Sequence, residues 1–384
     1  MFIEWMEYEN KTTGQQIRRI EFQRMNLLVG PSAAGKTQIL RVLSEFLLVA
    51  SYGQAIASEC RFQIGFRMHK DPYTADAAEK GFVWELETGG AYGLQGGQDS
   101  PAHVIVRECL TSGEELVFSR QDEVIAIEGY DRIPSIARDK SIFYVFQGNE
   151  PFASIVQDMK LVSSLYKQQE AFTPIPAKWV SDFTETFRDI KQEAKRTRTH
   201  LLAESTLPVG LDIHLAKLHM QSSFADFLMD VQDVFPEIED VDLAASTVYS
   251  GKYVIRIRID GRDLEQQDVS SGMLRTICIF ALLHFRCRHT AIFFDELENS
   301  LGINCLDSVV ERIRLKSAEE GTQFLLTSHH PYIINQIPVS DWLLISQDKG
   351  IITSKKAADV GIGRTGREQF MDLLNFVKRL QENM

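Results

Sequence analysis

Gly30-Pro31-Ser32-Ala33-Ala34-Gly35-Lys36-Thr37 constrains this chain more than any other segment. It fits GxxxxGK[ST] and follows the apolar run Met25-Asn26-Leu27-Leu28-Val29, which reads as a buried central strand. After it comes Gln38–Ala50, with apolar residues at helical spacing. Strand, glycine-rich loop and helix in that order make a phosphate cradle. The glycines let the backbone curl so that its amides point at phosphate oxygens, and the helix adds its positive end. Lys36 reaches the β- and γ-phosphates, and Thr37 offers its hydroxyl to Mg²⁺. ATP with Mg²⁺ is therefore the expected ligand of the loop from Gly30 to Thr37, with Pro31, Ser32, Ala33, Ala34 and Gly35 as its frame.

A second segment completes that chemistry. Thr290–Glu296 (TAIFFDE) is an apolar strand ending in acids, which places Asp295 at the carboxyl edge of a sheet to hold Mg²⁺. Glu296, one residue on, is placed to polarise the attacking water, and Glu298 is the less favoured base. Val269–Arg275 opens another helix with Ser270, Ser271 and Gly272. Such a start serves either as an ordinary cap or as an anion site. Leu325–Pro331 (LLTSHHP) sends His329 off the end of a core strand, where it can sense a γ-phosphate.

Between these segments the patterning is mixed. Phe2–Tyr8 reads as a strand, Asn10–Gln15 as a turn, and Ile17–Val29 as a run ending in the buried strand. Arg61–Met68, Phe82–Leu86, His103–Glu108, Leu116–Ser119 and Glu123–Ile127 read as short strands, and Ser141–Phe146 (SIFYVF) as a buried one. From Phe152 to Phe235 the pattern is helical, broken at Pro174, Pro176, Pro208 and Pro236. Val248–Ile259 alternates as a half-exposed strand. Helices follow at Ser271–Arg286, Cys305–Lys316 and Arg367–Glu382, and strands at Ala291–Phe294, Gln323–Thr327 and Trp342–Ser346.

Four motifs in this order resemble the ABC-type ATPase superfamily of SMC, Rad50 and RecF proteins. Within it, the match is to the compact bacterial branch related to overcoming-lysogenization-defect (OLD-like) and anti-phage defence ATPases. Val269–Arg275 is similar to that family's signature motif. Asp295–Leu301 is similar to its Walker B and D-loop (DExENxLH), and Thr327–Pro331 to its switch-histidine segment. The resemblance implies an α/β fold: an ABC-type head with a mixed β-sheet core, flanking helices and a helical insertion lobe. Residues 1–150 would be the first part of the nucleotide-binding lobe, 151–247 the insertion, and 248–384 the remainder of the head.

It also implies a homodimer, or a higher even-numbered oligomer, with composite sites. Ser270, Ser271 and Gly272 of one protomer would close on the γ-phosphate held by Lys36 and Thr37 of the other. Glu296 and His329 would be catalytic, and Thr37, Asp295 and Gln147 would surround Mg²⁺, Gln147 as a Q-loop glutamine. Gly302 stands where many relatives have His, and Met273 where many have Glu or Gln, so the dimer contact is expected to differ in detail.

Composition bounds the role. With 384 residues, 44% hydrophobic and 24% charged, the chain can bury a large core. No apolar run reaches the roughly 20 residues needed to span a bilayer, and MFIEWMEYEN lacks the features of a secretory signal. The five cysteines show no CxxC pairing, which suits reduced thiols and a cytoplasmic protein. A net charge of −12 repels a phosphate backbone. Nucleic-acid contact is left to a local patch, Lys191–Arg198 (KQEAKRTR), which reads more simply as a solvated helix face. His284, Cys287 and His289 read as a coincidence of spacing rather than a zinc site. Residues 150–245 are too few for a long coiled coil, and the stretch after His329 is too short for a TOPRIM nuclease domain. The expectation is an ATPase sensor subunit of a bacterial defence or toxin-like system, acting through a separately encoded effector such as a nuclease. The alternative is a RecF- or Rad50-like DNA-repair ATPase that clamps DNA.

Overall fold

Asn10 shapes the first turn of the chain. Its Oδ1 accepts the amides of Thr12 and Thr13 at 3.0 and 2.9 Å, and Gly14 follows at φ 72, so Phe2–Asn10 folds back on Gln16–Glu21 as an antiparallel pair. The structure is a computed structural model describing residues 1–68, 80–91, 103–133, 135–164, 173–189, 208–286, 290–319, 322–360, 362 and 369–382. The chain divides into two units. One comprises Met1–Lys160, Leu325–Thr327 and Ile337–Met384, and the other Leu161–Phe324 and Ser328–Gln336.

The first unit holds a mixed sheet. In spatial order its strands are Val124–Ile127, Glu115–Gln121, His103–Ser112, Gly81–Ala91, Cys60–Arg67, Phe2–Asn10, Gln16–Glu21, Ile351–Lys356, Trp342–Asp348 and Met25–Val29. The run from Val124–Ile127 to Gln16–Glu21 is antiparallel. Met25–Val29 instead lies parallel to Trp342–Asp348, with Leu28 opposite Leu343. All five of its residues are buried, as an apolar central strand requires.

Two expectations change in this unit. Ile17–Val29 is not one run but two strands separated at Phe22–Arg24, where the buried Asn26 side chain bonds both the amide and the carbonyl of Gln23 at 2.8 and 2.7 Å. Ser141–Phe146 is not a strand: Ile142–Val145 is a short helix. The buried carboxylate of Glu108 accepts from the Ser141 hydroxyl at 2.6 Å and from the Ile142 amide at 2.9 Å, and the Ser141 hydroxyl accepts the Phe143 amide at 3.2 Å. Capping by a distant acid overrides the strand propensity of the aromatic and branched residues. Burial holds the Glu108 carboxyl above its usual pKa. Phe143 joins a chain of edge and stacked contacts through Phe46, Phe62, Trp84 and Phe118. Each such buried ring contributes about 1.5–3 kcal/mol.

The second unit mixes helices with a small antiparallel sheet. Lys252–Ile259 pairs with Ile238–Ala245 along one edge, and with Ile175–Pro176 and Arg262–Glu265 elsewhere. The stretch read as helical from Phe152 to Phe235 does hold helices: Phe152–Leu161, which up to Lys160 belongs to the first unit, and Ala177–Asp189, Val209–His219 and Gln221–Val234 in the second. It also contributes the short strands Ser163–Ser164 and Ile175–Pro176, and Ile238–Ala245 follows as a strand the periodicity did not show. Ile175, Val180, Leu211, Leu215 and Leu243 form one core cluster here. Ser271–Phe285 is apolar nearly all round and buried continuously from Leu274 to Leu283, as such a helix must be. Its far end is tied by an ion pair, Arg286 to Asp212 at 2.6 Å, and by a hydrogen bond between His284 and Asp230 at 2.7 Å. That pairing gives His284 a structural partner; Cys287 and His289 lie outside the described residues. Among the described residues no helix is long and apolar enough to cross a membrane.

Candidate nucleotide site

In the first unit the glycine loop has the backbone its sequence demands. Gly30 (φ 153) and Gly35 (φ 92) occupy conformations that disfavour a side chain, and Ala33 between them is left-handed at φ 63. Space closes the same positions. A Cβ on Gly30 would lie 2.1 Å from the Ile345 carbonyl oxygen, and one on Gly35 would lie 2.2 Å from the Ile352 side chain. Lys36–Tyr52 begins directly at the loop, with Gly35 as N-cap and no side-chain cap. Lys36 is buried, and its Nζ donates to the carbonyls of Gly30 and Pro31 at 3.0 and 2.8 Å. Ser32, Ala33 and Thr37 are exposed. An exposed loop of turned amides, a lysine folded over it and an uncapped helix start suit a polyphosphate. The strand expected before Gln147 is the helix described above, and the Gln147 side-chain oxygen accepts from Lys160 Nζ at 3.2 Å.

The second unit gathers the other motifs. Ala291–Phe294 is buried throughout and delivers Asp295, half-buried, and Glu296, exposed, at its end. Glu296 sits at φ 46 and Ser300 at φ 62, so the segment between them turns sharply twice. Leu297, fully buried, pins the turn, and Asn299 Nδ2 donates to Glu296 Oε2 at 3.4 Å. Glu298 faces elsewhere: its Oε1 accepts the backbone amide of His329 at 2.6 Å. His329 is exposed, next to the buried Ser328.

Ser270 is the N-cap of Ser271–Phe285, its hydroxyl accepting the Met273 amide at 3.2 Å. Ser271 is exposed and Gly272 half-buried. A Cβ on Gly272 would lie 2.6 Å from the Ser300 carbonyl oxygen, so the signature turn packs on the turn after Glu296. Arg275 is the residue the motifs did not single out. It is 3% exposed, and its Nη2 donates to the Glu296 carbonyl at 3.0 Å and reaches the Asp295 carbonyl at 3.5 Å. Burial lowers its pKa, while Cys278, Glu298, Glu296 and Asp295 act to raise it. Only its position in Val269–Arg275 could have marked it.

Comparison with known proteins shows the family and the fold. The family described as "AAA domain, putative AbiEii toxin, Type IV TA system" matches residues 25–335. Among solved structures, an SMC head bound to the C-winged helix domain of ScpA superposes with a TM-score of 0.51 at 12% identity, covering 92% of this chain and 97% of that one. An SMC head with an extended coiled coil, bound to the C-terminal domain of ScpA derived from Pyrococcus furiosus, gives 0.50 at 11% identity, covering 94% and 97%. The chain thus has the fold of an SMC head, a P-loop α/β architecture with a large mixed sheet. A search of curated proteins finds no sequence match.

Proposed function

Because the chain belongs to the AAA-domain family described as putative AbiEii toxin of type IV toxin–antitoxin systems, we propose that it is an ATP-hydrolysing switch. The observation that carries this is the loop Gly30–Thr37, whose conformation and buried lysine suit a triphosphate. In this reading Thr37 would supply a hydroxyl and Asp295 a carboxylate to Mg²⁺, which is commonly held by one or two carboxylates together with phosphates. Gln147 is the further ligand in this reading. When bound, Mg²⁺ would neutralise charge on the β- and γ-phosphates. Lys36 and the loop amides orient the phosphates, Glu296 accepts a proton from the attacking water, and His329 donates to the γ-phosphate.

Ser270, Ser271 and Gly272 act in this reading on the γ-phosphate held by a second copy, so ATP closes a homodimer or a higher even-numbered oligomer. Since Ser270 caps its own helix, its hydroxyl would reorient or share that role on closure. The family's description as a putative toxin supports a place in a toxin-like system; in this reading the chain is its sensor ATPase, of the bacterial OLD-like, anti-phage branch, and works in the cytoplasm through a separate effector such as a nuclease.

The test is ATP hydrolysis by the purified chain, with mass measured with and without ATP. Turnover with an ATP-dependent shift to even multiples of the protomer is expected. No turnover and no shift, with and without co-purifying protein, would overturn the reading. Salt-sensitive DNA binding by the closed form would favour the DNA clamp instead.

A further inference from the structure

Asp295-Glu296 leaves its strand in a conformation that has to be held. A left-handed backbone is unfavourable for a residue with a Cβ and persists only where neighbours fix it; Glu296 is at φ 46. One such neighbour comes from the signature helix. The buried Arg275 guanidinium donates to the Glu296 carbonyl at 3.0 Å and reaches that of Asp295 at 3.5 Å. A guanidinium offers several donors in one plane and so serves two successive carbonyls, where a lysine offers a point charge. The start of the same helix grips the other end of the turn, with no room for a Cβ between Gly272 and the Ser300 carbonyl. Ser300 is itself left-handed. Ser271–Phe285 thus holds the segment Asp295–Ser300 at both ends.

We propose that Arg275 is a positioning residue for Glu296, tying the signature segment to the peptide that carries the water-activating carboxylate; this rests on the reading of Glu296 as the base. Ser270 to Gly272 engage the nucleotide of a second copy in that reading. A shift of the helix on closure therefore moves the Glu296 peptide through Arg275. Each protomer's own glutamate is aligned only when its signature segment is engaged, which makes hydrolysis in one site dependent on closure over the other.

The test compares Arg275→Ala and Arg275→Lys with wild type, alone and combined with Glu296→Gln, using single-turnover ATP hydrolysis. Misplacing a reacting group by about 1 Å can cost on the order of a hundredfold in rate. Arg275→Ala should lower the hydrolysis rate between about tenfold and a hundredfold, with KM for ATP changed less than about twofold. Arg275→Lys, which keeps the buried charge and guards against a failure of Arg275→Ala to fold, should recover part of the rate. In the Glu296→Gln background neither substitution should lower the residual rate further, because the group it positions is already gone. An unchanged rate in either well-folded variant, or equal fold losses in both backgrounds, overturns the proposal while leaving Glu296 as the base. Wild-type hydrolysis by Glu296→Gln alone overturns the reading beneath it, and this proposal with it.

Discussion

Glu298 holds the backbone of His329. Its Oε1 accepts the His329 amide at 2.6 Å, so the acid two residues after Glu296 fixes the start of the histidine segment. In the proposed reading this gives the second acid a positioning role and leaves Glu296, exposed and beside Asn299, as the base.

Removing that acceptor should free the histidine. Glu298→Ala is expected to lower kcat for ATP on the order of tenfold. Glu298→Gln, which keeps an acceptor for the amide, should stay within about threefold of wild type. Among the described residues Glu298 Oε2 is buried without a partner, so the variant exchanges an unmet acceptor for an amide nitrogen that itself needs a partner, which accounts for the small loss allowed. Steady-state kinetics of both variants check this; equal losses would show that charge rather than the hydrogen bond matters.

Gly272→Ala separates helix propensity from packing. Alanine favours a helix over glycine by about 1 kcal/mol, yet its Cβ would stand 2.6 Å from the Ser300 carbonyl. Packing should win, because the obstacle is backbone. The expected result is a Tm at or below that of wild type together with reduced ATP turnover. A raised Tm with intact turnover would show that the turn after Glu296 yields freely.

The pair Asp212–Arg286 makes stability depend on pH. Burial raises the Asp212 carboxyl from 3.8 to about 7, against the opposing pull of Arg286. The folded state therefore binds this proton more tightly than the unfolded chain does. Its stabilising contribution is full below about pH 4 and is lost as pH rises through about 7. The Tm of wild type relative to Asp212→Asn should fall across that window in thermal melts, and a constant difference would contradict the assignment. Arg286→Met, which leaves the carboxylate buried alone, should cost about 3–5 kcal/mol at pH 8 in denaturant unfolding.

Much of the candidate site's local geometry was legible because its constraints are local. Gly30 and Gly35 are dictated by a loop that turns within eight residues, and Asp295-Glu296 by an apolar strand running out into acids. Contacts distant in sequence were not legible. Ser141–Phe146 has strand-like residues, but Glu108 makes it a helix start. Ile238–Ala245 interleaves three acids with its apolar positions, and Ile351–Lys356 is a short strand with a polar end; neither stood out by periodicity. Arg275 and Glu298 gain their roles only where helix, turn and loop meet. Lys195, Arg196 and Arg198, the basic patch weighed for nucleic acid, lie outside the described residues.

The central claim is that Gly30–Thr37 and Glu296 make an ATP-hydrolysing switch. Equilibrium ATP binding and single-turnover hydrolysis by Glu296→Gln, with Lys36→Ala alongside, test it most directly. Glu296→Gln should bind ATP as wild type does, fail to turn it over, and accumulate as an ATP-linked dimer, while Lys36→Ala should lose binding itself. Hydrolysis by Glu296→Gln at the wild-type rate would contradict the account.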